Sequence, residues 1–238
     1  MTSMNFLFTS STSLTDEPAA NNPSASLTPP NPTRIGVVLF PGFQALDAFG
    51  PLDAFNVLSW THNITLSILS STLDPVTTKS PRSPSAIGQS IVPTHTFSTA
   101  PELDVLLIPG GLGTRGSSPE ILATIGFIRS VYPSLKYLIT VCTGSGLAAR
   151  AGVLDGKQAT TNKMGWEEIT ALGPNVKWVA KARWVKDGNV WTSSGVSAGI
   201  DVAFAWIEEV FGESVAEDIA VGIEYKRERD SRCDPFAE

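Results

Sequence analysis

Three short, almost continuously apolar runs constrain the fold of this chain most strongly. Runs of this kind are typical of strands buried on both faces of a parallel sheet. Segments with helical periodicity separate them, and this alternation at the spacing of βαβ units predicts a doubly wound α/β sheet with helices on both faces. The predicted strands are Arg34–Phe40, Leu103–Ile108 and Lys136–Val141, with Ile64–Leu69 as a fourth, and the predicted helices are Ala45–Leu58, Pro119–Val131 and Thr143–Ala151.

Further elements are predicted on either side of residue 152. Residues 81–93 contain three prolines and are expected to form a loop or hairpin insertion. Trp184–Thr192 is expected to form a hairpin, because Asp187-Gly188 is a strong turn signal. Three helices complete the prediction: Trp166–Leu172, Ala198–Val210 and Ser214–Arg229, the last with Lys226–Arg229 as a solvated end.

Composition divides the chain into a domain and two tails. Residues 1–33 are rich in Ser, Thr, Pro, Asn and Ala, so this segment buries little apolar surface and is expected to be a flexible tail. Residues 34–228 form the predicted domain, and residues 229–238 form a C-terminal tail.

Charge and composition exclude several functions. The net charge of −6 argues against binding to nucleic acid. Two histidines and two cysteines provide neither a metal cluster nor a disulfide framework, which favours a reducing compartment and a cytoplasmic location. No apolar run reaches the roughly 18 residues of a membrane span, so no membrane association is expected.

Cys142 lies between a predicted strand and a predicted helix, followed by Thr143 and Gly144. A thiol on such a turn lies at the positive end of the helix dipole, where the thiolate, the nucleophilic form, is favoured. The alternative is a buried structural cysteine.

Ligands of parallel α/β sheets bind beyond the carboxyl ends of the strands, and three predicted loops meet there. They are residues 41–47, residues 109–113 and the turn at Cys142. The N–H groups of Gly111 and Thr143 could form a pair that resembles an oxyanion hole. Asp47 is expected to share a proton with Cys142, and the alternative role is a charge that stabilises a helix N-terminus.

Several separated motifs resemble the DJ-1/PfpI superfamily, which is class I glutamine amidotransferase-like. They are Ile108–Gly111, Cys142–Gly144 and Gly152–Thr161, and Leu46-Asp47, Val141–Ser145 and Ala198–Asp201 are similar to the isocyanide hydratases within that superfamily. The resemblance runs from about Arg34 to Tyr225. It implies a flavodoxin-like sandwich, a homodimer, and a nucleophilic cysteine on a sharp elbow.

The resemblance also assigns roles to individual residues. It implies that Cys142 is the nucleophile, that Asp47 is the acid that hydrogen-bonds the thiol, and that Thr143 assists. Gly111 and Thr143 would supply the oxyanion-hole N–H groups. Gly110, Asn162 and Phe43 are the candidate substrate-binding residues.

One position departs from the family pattern. Many relatives carry a histidine after the Ala-Thr-Thr motif, where this chain has Asn162. His62 and His95 lie outside the motifs, so a Cys-His dyad and peptidase activity are disfavoured.

The predicted activity is the hydration of isocyanides, a class of small molecule, to N-substituted formamides without a cofactor. Two alternatives stay open: a glyoxalase that acts on methylglyoxal, and a redox sensor or chaperone of the DJ-1 type. A ligand-sensing domain of a transcription regulator is disfavoured, because no segment of a size to form a helix-turn-helix follows the last predicted helix.

Overall fold

The computed structural model describes residues 31–83 and 85–237, which contain eleven strands and six α-helices. The strands are β1 (Arg34–Val38), β2 (Thr65–Ser70), β3 (Val76–Thr77), β4 (Ser90–Ile91), β5 (His95–Thr96), β6 (Val105–Ile108), β7 (Tyr137–Thr140), β8 (Gln158–Ala159), β9 (Lys177–Trp178), β10 (Trp184–Asp187) and β11 (Val190–Ser193). The helices are α1 (Ala45–Leu58), α2 (Pro119–Val131), α3 (Gly144–Arg150), α4 (Trp166–Thr170), α5 (Val196–Phe211) and α6 (Glu213–Gly222).

Seven of the strands form a central sheet in the order β10-β11-β7-β6-β1-β2-β5. All neighbours in it pair in parallel except β10 and β11, which form the predicted hairpin with Gly188 at positive φ in its turn. The predicted, mostly parallel α/β fold is therefore confirmed. Two short pairs, β3 with β4 and β8 with β9, lie outside this sheet.

Helices flank the sheet on both faces. The chain moves from β1 to β2 in one direction along the sheet, and from β6 through β7 to β11 in the other. Because crossover connections are right-handed, α1 and the pair α2 and α3 lie on opposite faces. α5 and α6 pack with α1, whereas α4 packs with α3. The strands between these layers are buried on both faces, as in β6, whose four residues are all buried.

The last helix is shorter than the sequence predicts. α6 ends at Gly222 and not at Arg229, because Glu224 adopts a positive φ and the ring of Tyr225 stacks on Phe204 at 5.4 Å. Arg227 is consequently buried against α5 and forms an ion pair with Glu208. The prediction of a solvated helix end at residues 226–229 was wrong for this residue.

The structure describes nearly all of the predicted C-terminal tail but only residues 31–33 of the predicted N-terminal tail. Residues 1–30 of the N-terminal tail lie outside the described residues. The C-terminal tail packs against the domain, since the carbonyl of Ser231 accepts the N–H groups of Arg183 and Trp184 at 2.7 and 3.3 Å. Within the described ranges, no helix combines the length and apolar character needed to cross a membrane.

Candidate active site

Three loops meet at the carboxyl end of the central strands. The N–H of Gly110 donates to Asp47 Oδ2 at 3.0 Å, and the N–H of Gly111 donates to Thr143 Oγ1 at 2.9 Å. Phe43 also forms an isolated antiparallel bridge with Gly111. These contacts join the loops after β1, β6 and β7, which are distant in sequence, into one site.

Cys142 occupies the turn between β7 and α3 with a φ of 57°, in the left-handed region that few residues other than glycine adopt. Its N–H donates to the carbonyl of Ser194 at 2.9 Å, and its carbonyl accepts the hydroxyl of Thr161 at 3.0 Å. A Cβ on Gly144 would lie 2.3 Å from the carbonyl oxygen of Ile108, so only glycine fits directly after the turn. The strained residue is thus held from both sides, as in a nucleophile elbow.

Asp47 lies in the first turn of α1 and is fully buried. Burial raises the pKa of its carboxyl to about 7, while the hydrogen bond from Gly110 and the contact with the Cys142 thiol oppose the rise. Oδ1 makes no hydrogen bond of normal geometry to any residue in the described ranges. Near neutral pH this carboxyl can therefore both accept and donate a proton.

The thiol of Cys142 is not activated as the sequence predicts. Its pKa is raised, first by burial and then by the negative charge of Asp47. The N–H of Thr143 and the charge of Arg115 act in the opposite direction but do not outweigh these effects. The prediction that the turn favours the thiolate was wrong, because burial of the sulfur disfavours the charged form more than the turn stabilises it. Asp47 must take the thiol proton before a thiolate can form.

The hydroxyl of Thr143 binds the glycine loop. Besides accepting the Gly111 N–H, it lies 3.2 Å from the Gly111 carbonyl oxygen and accepts the hydroxyl of Thr114 at 3.0 Å. The N–H of Thr143 faces the sulfur of Cys142, whereas the N–H of Gly111 is already occupied. The oxyanion-hole pair of these two N–H groups stays a prediction, and it requires the Gly111 N–H to leave Thr143.

The candidate substrate-binding residues lie at different depths. Gly110 lies at the centre of the site, where a Cβ would come within 2.6 Å of the Thr143 nitrogen. Asn162 Oδ1 accepts the N–H of Gly165 at 2.9 Å. Phe43 is buried in the core and packs edge-on against Phe49, with ring centroids 6.3 Å apart. Of the three, Asn162 lines a cavity.

That cavity has a volume of about 350 Å³, and its lining includes Ser194, whose carbonyl accepts the N–H of Cys142. Met164 at its rim is 97% exposed, so the cavity opens to solvent. Its other lining residues come from α1, the segment after β8, the β9–β10 connection, the β11–α5 connection, the first turn of α5 and the C-terminal segment (residues 229–237): Leu46, Asn162, Lys163, Arg183, Ser194, Gly195, Val196, Ser197, Ala198, Asp234 and Phe236.

Sequence reasoning missed several residues of this region. Arg115 Nε donates to Glu168 at 2.6 Å, and its charge acts on the Cys142 thiol. Lys163, Asp234 and Phe236 line the cavity. A cation after the glycine loop was the only available signal for Arg115, and no sequence pattern places the C-terminal residues near the site.

No metal-binding cluster is found in the described part of the chain. In residues 31–83 and 85–237, no group of three or more His, Cys, Asp or Glu side chains could hold a metal ion.

The fold and the elbow define an α/β protein with a cysteine at the carboxyl end of its sheet. The model of the DJ-1/PfpI family matches residues 33–209, and the chain belongs to this family. It is 38% identical over 192 residues to the isonitrile hydratase of Pseudomonas putida, covering 81% of this chain and 78% of that protein.

Solved structures agree with this assignment. A ThiJ/PfpI family protein from Pseudomonas syringae aligns with a TM-score of 0.68 and 28% identity over 89% of this chain and 84% of that one. DJ-1beta of Drosophila melanogaster aligns with a TM-score of 0.65 and 21% identity over 82% of this chain and 98% of that one, which shows a shared fold.

Proposed function

We propose that the protein is a cysteine-dependent hydratase that converts isocyanides to N-substituted formamides. The observation that carries this proposal is the buried pair of Asp47 and Cys142, in which a carboxyl with a pKa near 7 contacts the thiol. The similarity to an isonitrile hydratase over most of both chains supports it.

The first step joins the sulfur to the substrate. The thiol proton of Cys142 passes to Asp47, which delivers it to the terminal carbon of the isocyanide while Sγ bonds to the same carbon. The carbon–nitrogen triple bond becomes the double bond of a thioimidate. Asp47 thereby returns the proton that it received, as general acid–base catalysis requires.

The second step consumes water. Its hydroxyl adds to the thioimidate carbon and its other proton adds to nitrogen, which gives a tetrahedral intermediate. The carbon–sulfur bond then breaks, the hydroxyl proton returns to the sulfur, and the formamide leaves. The sum is one isocyanide and one water converted to one formamide, with the thiol regenerated.

Asn162 favours this chemistry over reactions of a Cys-His dyad. Its side-chain oxygen accepts the N–H of Gly165, and an amide cannot act as a base at neutral pH. Hydration by the Asp47 and Cys142 pair needs no further base.

The test is turnover of cyclohexyl isocyanide by the purified chain, followed as N-cyclohexylformamide by chromatography. We expect Cys142→Ala to lower kcat by at least about 10³-fold, because it removes the nucleophile. Cys233→Ser is the matched control, since this second cysteine is exposed and does not line the cavity. Its activity should equal that of the parent.

Methylglyoxal supplies the contrasting assay. Formation of lactate from methylglyoxal, with no formamide from the isocyanide, would reject the hydratase proposal in favour of glyoxalase activity. Normal isocyanide turnover by Cys142→Ala would also defeat the proposal.

A further inference from the structure

The C-terminal segment forms part of the cavity that Asn162 and Ser194 line. The family match ends at residue 209, yet Asp234 and Phe236 line this cavity. Phe236 is 68% exposed, so its ring is accessible to a ligand in the cavity. The segment therefore adds to the site a surface that lies beyond the family match.

Specific contacts hold the segment in place. The carbonyl of Ser231 accepts two backbone N–H groups from residues 183 and 184. Asp234 is buried and lies 3.5 Å from Lys163 Nζ, and its Oδ1 accepts the N–H of Phe236 at 3.1 Å. Lys163 is itself fixed by Thr160 Oγ1 at 2.9 Å and by the carbonyl of Ala182 at 2.9 Å. The position of Phe236 thus depends on a buried ion pair.

Residues that line the cavity are linked to Asp47 and Cys142 through the chain or through backbone hydrogen bonds. Leu46 precedes Asp47 in the chain, and Ser194 accepts the N–H of Cys142. Asn162 follows Thr161, which donates to the carbonyl of Cys142. These links make the cavity the candidate site for the nitrogen substituent of a substrate bonded to Sγ.

The surface of the cavity is mostly apolar although charged residues line it. Lys163 is paired with Asp234, and Arg183 with Asp201 at 2.6 Å, so these charges compensate each other. Leu46, Val196 and Phe236 supply apolar surface. A volume of about 350 Å³ is near the lower end for small-molecule sites, and it suits one ring better than a larger ligand.

We propose that the C-terminal segment is the wall that selects the nitrogen substituent, with Phe236 contacting an apolar ring of the substrate. This inference rests on the proposed function for the identity of the substrate. The proposal predicts that single-ring aryl and cycloalkyl isocyanides are better substrates than methyl isocyanide. It also predicts that Phe236 is a specificity-determining residue.

The test compares alkylation of Cys142 by iodoacetamide and by iodoacetanilide, which differ by one phenyl group on nitrogen. In both reactions Sγ displaces iodide, so the test does not require hydratase activity. Peptide mass spectrometry separates Cys142 from Cys233. We expect Phe236→Ala to lower the rate ratio of iodoacetanilide to iodoacetamide about fivefold, the effect of one lost ring contact.

Trp60→Ala is the matched control. Trp60 is 78% exposed and follows the C-terminal end of α1, whereas Leu46 of the cavity lies in its first turn. The control should keep the parental ratio. A ratio that Phe236→Ala leaves unchanged would overturn the proposal, whatever the outcome of the isocyanide assay.

Turnover gives the second measurement. Phe236→Ala should raise KM for cyclohexyl isocyanide about fivefold with kcat retained, and leave kcat/KM for methyl isocyanide unchanged. If Phe236→Ala changes the alkylation ratio but the protein hydrates no isocyanide, the role of Phe236 in the cavity is supported and the proposed hydratase activity is rejected.

Discussion

Asp104 and Asp47 are both buried, at opposite ends of the sheet, but they differ in whether nearby cations compensate the carboxylate charge. Asp104 precedes β6 at the amino end, where it pairs with Arg34 at 2.9 Å and Lys136 at 3.4 Å and accepts the N–H of Thr33. Asp47 lies at the carboxyl end, where it accepts the N–H of Gly110. No cation in the described ranges contributes to its pKa.

The pKa values of the two carboxyls consequently move in opposite directions. Burial would raise both, but at Asp104 the hydrogen bonds from Arg34 and from the backbone, with the charge of Lys136, hold the pKa well below its usual range. At Asp47 burial prevails and raises the pKa to about 7. At the amino end, the cations that compensate the charge of Asp104 connect neighbouring strands. At the carboxyl end, the Asp47 carboxyl has no such compensation within the described ranges and is available for proton transfer.

The largest expected effect separates the two aspartates by activity. Asp47→Asn keeps an oxygen that can accept the Gly110 N–H but cannot carry a proton to the substrate. We expect it to lower kcat for cyclohexyl isocyanide by about 10²- to 10⁴-fold. Asp104→Asn should stay within about twofold of the parent, because the carboxyl end is unchanged. Equal losses of kcat in Asp47→Asn and Asp104→Asn would contradict this difference between the two carboxyls.

Gly110 tests how tightly the carboxyl end is built. In Gly110→Ala the new Cβ would lie 2.6 Å from the Thr143 nitrogen and 2.8 Å from Asp47 Oδ2, so the acid and the elbow must separate. We expect kcat to fall by about 10²-fold, as for a misplacement of about 1 Å.

Gly126→Ala is the control for that substitution. Gly126 lies inside α2, and its Cβ would meet no atom within 4 Å. Activity should not change, and the free energy of unfolding should rise by up to about 1 kcal/mol, since alanine is the better helix former. Full activity in Gly110→Ala would show that the three loops tolerate movement.

Local sequence signals predicted much of this fold. The bounds of α1 and α2 are confirmed to the residue, and α2 has Ser118 as its N-cap and Pro119 at its first position, both strong local signals. The end of α6 was not predictable, because it depends on Tyr225 stacking on Phe204, a contact between distant residues.

The candidate site was predictable in part for the same reason. Glycines and a cysteine after buried strands indicate loops at one edge, so the convergence of Asp47, Gly110 and Cys142 could be inferred. The pKa of the thiol could not, since it depends on burial and on a carboxyl 95 positions away. The packing of residues 229–237 had no sequence signal either.

The pH dependence of stability sharpens the comparison further. Because the folded pKa of Asp47 is raised, the folded state binds its proton more tightly, and the stability that this gives is lost as pH rises from about 4 to about 7. The loss is of the order of 4 kcal/mol at most. Asp47→Asn should remove this slope and be the more stable protein at pH 8, measured by urea unfolding from pH 4.5 to 8. Parallel curves for parent and variant would contradict the raised pKa.

The smallest expected effect concerns Asp104, for which the sign is reversed. Its lowered pKa stabilises the fold above about pH 4, the usual value of the group, and this contribution is lost as pH falls further. Asp104→Asn should therefore lower Tm by a few degrees at pH 7, because Arg34 is partly exposed to solvent and loses only part of an ion-pair network. The difference from the parent should narrow when thermal unfolding is repeated at pH 3. A difference that is the same at both pH values would mean that Asp104 acts through its hydrogen bonds alone, and that charge does not distinguish the two ends of the sheet.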